Sequence, residues 1–163
     1  MHSRTIFLTA ISMLAFAGNS LLCRMALKLT QVDAASFTAV RLLSGAVALV
    51  LLLWWRSRAA AVSQIKTYGN WSSALALFAY AALFSFAYVG MTAATGALLL
   101  FGAVQASMIG WGLARGERLG SWQWVGFVVA LAGLVALMLP GFAAPNLGIA
   151  LTMVAAGVAW GVY

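Results

Sequence analysis

Charged and turn-forming residues divide this chain into stretches that are almost continuously apolar. An α-helix rises about 1.5 Å per residue and needs about 20 residues to cross the hydrocarbon of a bilayer. On that measure the pattern predicts six spans, at residues 5–27, 34–55, 72–91, 95–114, 121–139 and 147–163. The last of them stops at Tyr163 inside an apolar run, with no basic flank. The runs do not alternate every second residue, so they read as helices and not as strands of a barrel. The links are short except for residues 56–71, which carry Arg56, Arg58 and Lys66. "MTAAT" (91–95) joins the third and fourth spans, and "PGFAAPN" (140–146), with the chain's two prolines, joins the fifth and sixth. Links this short predict antiparallel neighbours. Asp33 and Ser121 stand where the second and fifth spans begin, as expected of helix N-caps.

Composition turns the length of these runs into a statement about solvent. Of 163 residues 65% are hydrophobic and 7% charged, with a mean hydropathy of +1.04, where soluble domains are about half apolar. A core of this size cannot hide that much apolar surface, so the expected partner is a lipid bilayer. The net charge of +7 comes from nine basic residues scattered among apolar runs, which form no continuous basic face and imply no nucleic acid. The lone Cys23 excludes an internal disulfide and has no neighbouring Cys or His with which to hold zinc. Arg4 before the first run allows a secretory signal, but the run from Thr5 to about Leu22 exceeds a signal's apolar core, and the expectation is a retained helix.

Charge also orients the chain. With the N-terminus in the cytoplasm, Arg4, Arg56, Arg58, Lys66, Arg115 and Arg118 fall inside, Lys28 lies in an outer loop, and Arg24 and Arg41 lie within spans. Trp54, Trp55, Tyr68, Trp71, Trp111, Trp122 and Trp124 then sit near the inner boundary, where amphipathic rings prefer to be. "RGERLG" (115–120) becomes an inner hairpin whose arginines resist translocation and whose glycines, Gly116 and Gly120, permit a tight turn.

The same hairpin carries a resemblance. "RGERLGSWQWVGFVVALAGLVAL" resembles the end of an EamA-type repeat of the drug/metabolite transporter superfamily, with Gly116, Glu117, Arg118, Leu119, Gln123, Gly126 and Gly133 at the matching places. "AFAGNSLLCRMALK", with Asn19 and Lys28, and "SFTAVRLLSGAVAL", with Arg41, resemble the repeat's opening, although Ala17 stands where the family often has Trp. The resemblance covers about residues 5–139. It implies an all-α, polytopic membrane helix bundle of two inverted five-helix repeats, of which this chain holds residues 5–139 as the first and 147–163 as the sixth helix, the start of an incomplete second. Five crossings leave the chain outside, so a second copy must enter upside down, as in inverted-repeat transporters.

Candidate site residues are those that are polar or aromatic inside a span. Arg41 lies seven residues into the second span, about 10 Å deep. It either lines a cavity and holds an anionic group, or ties helix ends through backbone carbonyls or snorkels outward. Arg24 and Lys28 share a face near the outer end of the first span, where snorkelling is the expected role. Asn19 and Gln105 fall near the midplane and either bind substrate or join helices. Tyr80, Phe84 and Tyr88 recur every four residues as an aromatic stripe that faces substrate, lipid or a neighbouring helix. Gly102, Ala106 and Gly110, and likewise Gly126 and Ala130, are spaced for close helix packing. The carboxylates, Asp33 and Glu117, stand in loops on opposite sides, so no acid within a span supports proton relay. With His2 peripheral, nothing suggests a catalyst, a metal or a cofactor.

The expected function is a carrier, or its N-terminal half, moving small metabolites or drugs across the cytoplasmic membrane by alternating access, with export as the family's common direction. A flippase for lipid-linked groups and a non-transporting fragment or helical assembly partner remain open. The missing second repeat, or an oligomer, would complete the cavity wall. Dual insertion runs against the charge bias.

Overall fold

The computed structural model describes residues 2–56, 70–137 and 145–163. Arg58, Lys66 and Tyr68 of the inner-side reading, and most of the "PGFAAPN" link, lie outside the described residues. Among the described residues six helices follow one another: α1 (His2–Leu29), α2 (Ala34–Arg56), α3 (Trp71–Val89), α4 (Ala93–Ala114), α5 (Ser121–Leu137) and α6 (Leu147–Val162). Four of them, α1 to α4, are long and apolar enough to span a bilayer by themselves, and α5 and α6 are shorter apolar helices. The bundle therefore follows the predicted spans closely.

Side-chain caps fix where the helices start. The Asp33 carboxylate accepts from the Ala35 and Ser36 amides, each at 2.9 Å, and from the Ser36 hydroxyl at 2.7 Å. Asn70 caps α3 through the Ser72 amide, Thr92 caps α4 through the Thr95 amide, and Asn146 caps α6 through the Gly148 amide. Ser121 does not cap α5. The first intrahelical bond, from the Trp124 amide, ends on the Gly120 carbonyl, and the Gln123 side chain reaches back to the Gly120 amide at 2.8 Å. Gly120 is thus the cap and Ser121 the first helical residue, because Gln123 supplies the return bond of a capping box without needing a hydroxyl.

The hairpin between α4 and α5 closes as a Schellman turn. The Glu117 amide bonds the Gly112 carbonyl and the Gly116 amide bonds the Leu113 carbonyl, both at 3.0 Å, with Gly116 at φ +90°. That left-handed conformation is open to glycine and costly for other residues. Of the two glycines expected to make this turn, only Gly116 takes the special backbone angle.

The packing departs from the order of the chain. α3 and α4 share a link of three residues, 90–92, yet touch little, because α6 lies between them and packs along both. Ala150, Met153 and Ala156 of α6 are each fully buried among Phe84, Ala87 and Tyr88 of α3 and Leu99 and Leu100 of α4. A methyl placed on Gly157 would stand 2.7 Å from the Leu100 carbonyl oxygen and 2.6 Å from the Ala103 Cβ, so at this point only glycine lets the two backbones approach. The sixth helix, expected as the start of an incomplete second repeat, is the centre of the bundle. Of the small residues expected to make close helix contacts, Gly102 does so against Leu134, whereas a methyl on Gly110 or Gly126 would meet nothing within 4 Å.

Around this core α1 packs on α3 and α4, α2 mainly on α3, and α5 on α4. Their outer faces are apolar and open, from Ile6, Phe7 and Leu14 through Leu43, Val47 and Leu51 to Val125 and Val129. Such a surface is stable in hydrocarbon and not in water. Trp54, Trp55, Trp71, Trp111, Trp122 and Trp124 are exposed near helix ends, in keeping with an aromatic belt.

Candidate functional site

The aromatic stripe of α3 faces inward. Tyr80 is 7% exposed and Phe84 and Tyr88 not at all. Their rings stack along the helix, with Tyr80 and Phe84 centroids 5.5 Å apart and Phe84 and Tyr88 4.6 Å apart, the latter nearly perpendicular at 77°. Arg41 of α2 lies over this stripe. Its guanidinium carbon is 4.7 Å from the Phe84 ring centroid and 5.3 Å from that of Tyr80, and its Nη2 donates to the Tyr80 hydroxyl at 2.9 Å. Away from water, a cation over an aromatic face gains about 2 kcal/mol or more, which helps to keep the charge at this depth. Among the described residues Arg41 Nη1 is the buried side-chain nitrogen or oxygen that has no hydrogen-bond partner.

Residues from three further helices extend the aromatic wall. Trp160 of α6 lies 5.0 Å from Tyr80, 5.4 Å from Phe16 of α1 and 5.7 Å from Phe101 of α4, and Phe16 and Phe101 meet edge to face at 5.8 Å. Spacing alone does not single out Phe16, Phe101 or Trp160, because a ring that faces lipid and one that faces a neighbouring helix stand in equally apolar runs.

Arg24 shows the structural role that Arg41 does not have. Its Nη1 donates to the carbonyls of Tyr88 at 2.6 Å and Val89 at 3.0 Å, closing the C-terminal end of α3. Half-buried and bonded, it is not snorkelling free as expected, because the last carbonyls of α3 lack intrahelical partners and attract a cation. Lys28, one turn later, is exposed.

The remaining candidates fall into three places. Tyr88 adjoins the Arg41 group through Phe84, but its hydroxyl donates to the Ala93 carbonyl at 3.2 Å across the α3–α4 link, and its ring occupies the space that a methyl on Gly96 would need. Asn19 is half-buried on α1 between Phe16 and Cys23, the latter 1% exposed, and makes no hydrogen bond among the described residues. Gln105 is apart from Arg41. It lines a cleft of about 520 Å³ between α4 and α5, together with Phe101, Gly102, Phe127 and Leu134, and is the polar side chain in an otherwise apolar wall. The structure thus brings Arg41, Tyr80 and Phe84 into one group, sets Tyr88 at its edge and leaves Gln105 outside it. Among the described residues no three His, Cys, Asp or Glu side chains come together to hold a metal.

The EamA-like transporter family matches residues 3–139. The uncharacterized protein PA1977 of Pseudomonas aeruginosa is 58% identical over 160 residues, which cover 98% of this chain and 54% of that protein. The chain therefore spans about half the length of the curated relative it matches. No solved structure matches it significantly.

Proposed function

We propose that this chain, which belongs to the EamA-like transporter family, acts in the cytoplasmic membrane as one repeat of a carrier that moves small metabolites or drugs outward by alternating access. It works with a second, inverted repeat, of which α6 is the beginning. The observation that supports this reading is an arginine held inside a membrane bundle against aromatic rings, with a nitrogen left unbonded. Polar groups at such depth are costly and usually serve a solute or ion path. The apolar surroundings and the lack of an intramembrane acid fit solute binding better than hydrolysis or proton relay.

Orientation is part of the proposal. Arg4, Arg115 and Arg118 are exposed near helix ends, and basic residues favour the cytoplasmic side. Cysteine placed at Gln31 should react with a membrane-impermeant maleimide applied to intact spheroplasts, and cysteine placed at Arg118 should react only after lysis. The reverse pattern would refute an inside N-terminus. For transport itself, this chain reconstituted together with the remaining half of the Pseudomonas aeruginosa relative, in liposomes preloaded with labelled amino acids, organic acids or aromatic drugs, should release at least one of them faster than protein-free liposomes. Equal release across the panel would refute the carrier reading.

A further inference from the structure

Arg41 has no counter-ion that this chain can provide. Asp33 and Glu117 are its two acidic residues, and both are exposed outside the helices. The Asp33 carboxylate is moreover taken up by the first turn of α2. What Arg41 has is a neutral hydroxyl on Nη2, two aromatic faces, and Nη1 with no acceptor.

The Tyr80 hydroxyl completes the pattern. It accepts from Arg41 Nη2, which leaves its own proton free to be donated, and no acceptor for that proton stands among the described residues. Two donors, Arg41 Nη1 and Tyr80 Oη, therefore flank a single hydrogen bond. One donor on a delocalised cation and a second on the adjoining phenol suit the two oxygens of a carboxylate. A neutral carbonyl could accept the same bonds but would leave the charge unbalanced in a medium of low dielectric constant. The wall beyond Tyr80 consists of Trp160, Phe16 and Phe101, which fits an apolar or aromatic body behind the acid group.

We infer that Arg41 and Tyr80 form a two-point receptor for the carboxylate of an apolar organic acid. The inference rests on the carrier reading and gives it a substrate class. Nη1 is enclosed in the structure, so the receptor is reached when α2 parts from α3. The exposed outer face of α2 and its packing mainly on α3 make it the helix free to do so. The anion then holds together two donors that otherwise belong to different helices, and occupancy is coupled to helix position.

Calorimetric titration of the whole chain in neutral detergent tests this with phenylacetate, its uncharged counterpart phenylacetamide, and inorganic phosphate. Phenylacetate should bind at least about tenfold more tightly than the amide, in line with a hydrogen bond to a charged group. Tyr80→Phe keeps the ring and removes one donor, and should weaken phenylacetate about tenfold and the amide by less. Arg41→Gln should abolish the preference for the acid, and Arg41→Lys should retain part of it. Circular dichroism confirms that each variant is folded, and Tyr80→Phe carries the test if Arg41→Gln is not. Equal affinity for acid and amide, no binding of phenylacetate, tighter binding of phosphate, or a wild-type response from Tyr80→Phe would each overturn the assignment. Liposomes settle which reading failed. Flux of a neutral or cationic solute independent of Arg41 keeps the carrier and removes the receptor, whereas Arg41-dependent binding with no flux keeps the receptor and removes the carrier.

Discussion

Replacing Gly157 by alanine adds one methyl at the place where α6 and α4 come closest. That methyl would lie 2.6 Å from the Ala103 Cβ, 2.7 Å from the Leu100 carbonyl oxygen and 3.2 Å from the Val104 amide nitrogen. Carbon atoms settle at 3.5 to 4.0 Å, so the two helices would have to separate by roughly 1 Å. Two of the three neighbours are backbone and cannot rotate away. Over-packing of a tight interior costs typically 1–3 kcal/mol, and with rigid neighbours a loss of roughly 2–3 kcal/mol is expected for Gly157→Ala. Gly126→Ala is the matched control. It lies in the middle of α5, nothing is within 4 Å of the new methyl, and alanine favours a helix, so stability should be unchanged or higher by up to about 1 kcal/mol. Both variants can be unfolded reversibly by titrating a denaturing detergent into mild micelles and following near-ultraviolet circular dichroism. If Gly157→Ala unfolds where the wild-type chain and Gly126→Ala do, α6 is not seated between α3 and α4 and the placement of the core is wrong.

Three further outcomes follow from single contacts. Arg24→Gln should cost about 1.5–3 kcal/mol, the usual range for hydrogen bonds to a charged group, because the Tyr88 and Val89 carbonyls lose their donor; hydrogen exchange should rise in the 90–92 link, and unchanged protection there would argue against the clamp. Tyr88→Phe removes the bond to the Ala93 carbonyl while keeping the ring, for an expected loss of about 1 kcal/mol in the same detergent titration; no loss would show that the ring alone carries the contact. The Ser36 hydroxyl, and after it the Ser36 amide, hold the Asp33 carboxyl below its ordinary value. The cap's contribution is therefore complete above the ordinary carboxylate range and is lost as pH falls through the lowered value. The Ser36 amide resonance should titrate with that midpoint in the wild-type chain and be flat in Asp33→Asn, which keeps an acceptor; titration in both would point to another group.

What could be read in the sequence was what lipid dictates. Continuous apolar runs of membrane-crossing length placed all six helices, and the polar punctuation placed the Asp33 cap and the Gly116 turn. The rest was not visible because a helix surrounded by hydrocarbon is as apolar on its lipid face as on its packed face. Without an amphipathic stripe, nothing in "LGIALTMVAAGVAWGV" distinguishes a helix at the rim from one at the centre. Spacing of small residues was a mixed guide. It pointed rightly to Gly102 against Leu134, but also to Gly110 and Gly126, where an added methyl would meet nothing within 4 Å, and it passed over Gly157, whose contact depends on where α4 lies. Cap identity failed at Ser121 because the side chain that closes that turn, Gln123, lies downstream of the position being judged.

A charge in hydrocarbon must turn towards something that can satisfy it, but for Arg41 the pattern left a cavity, the helix ends and the membrane surface all open. Arg24 obeys the same rule with different partners. Both arginines are half-buried and both approach α3. Arg24 finds two carbonyls at a helix end, where unpaired acceptors are unavoidable, so its charge is used in closing α3. Arg41 meets α3 at Tyr80, eight residues before Tyr88, where every backbone carbonyl of a regular helix is already bonded. It can take only a hydroxyl and ring faces, and one nitrogen is left over. A bundle that needed only a clamp between α2 and α3 would do better with a neutral side chain at residue 41, because truncation to an uncharged group removes the burial cost of an unpaired ion. On the receptor proposed above, the carboxylate of a bound acid supplies the acceptor that Arg41 Nη1 lacks among the described residues.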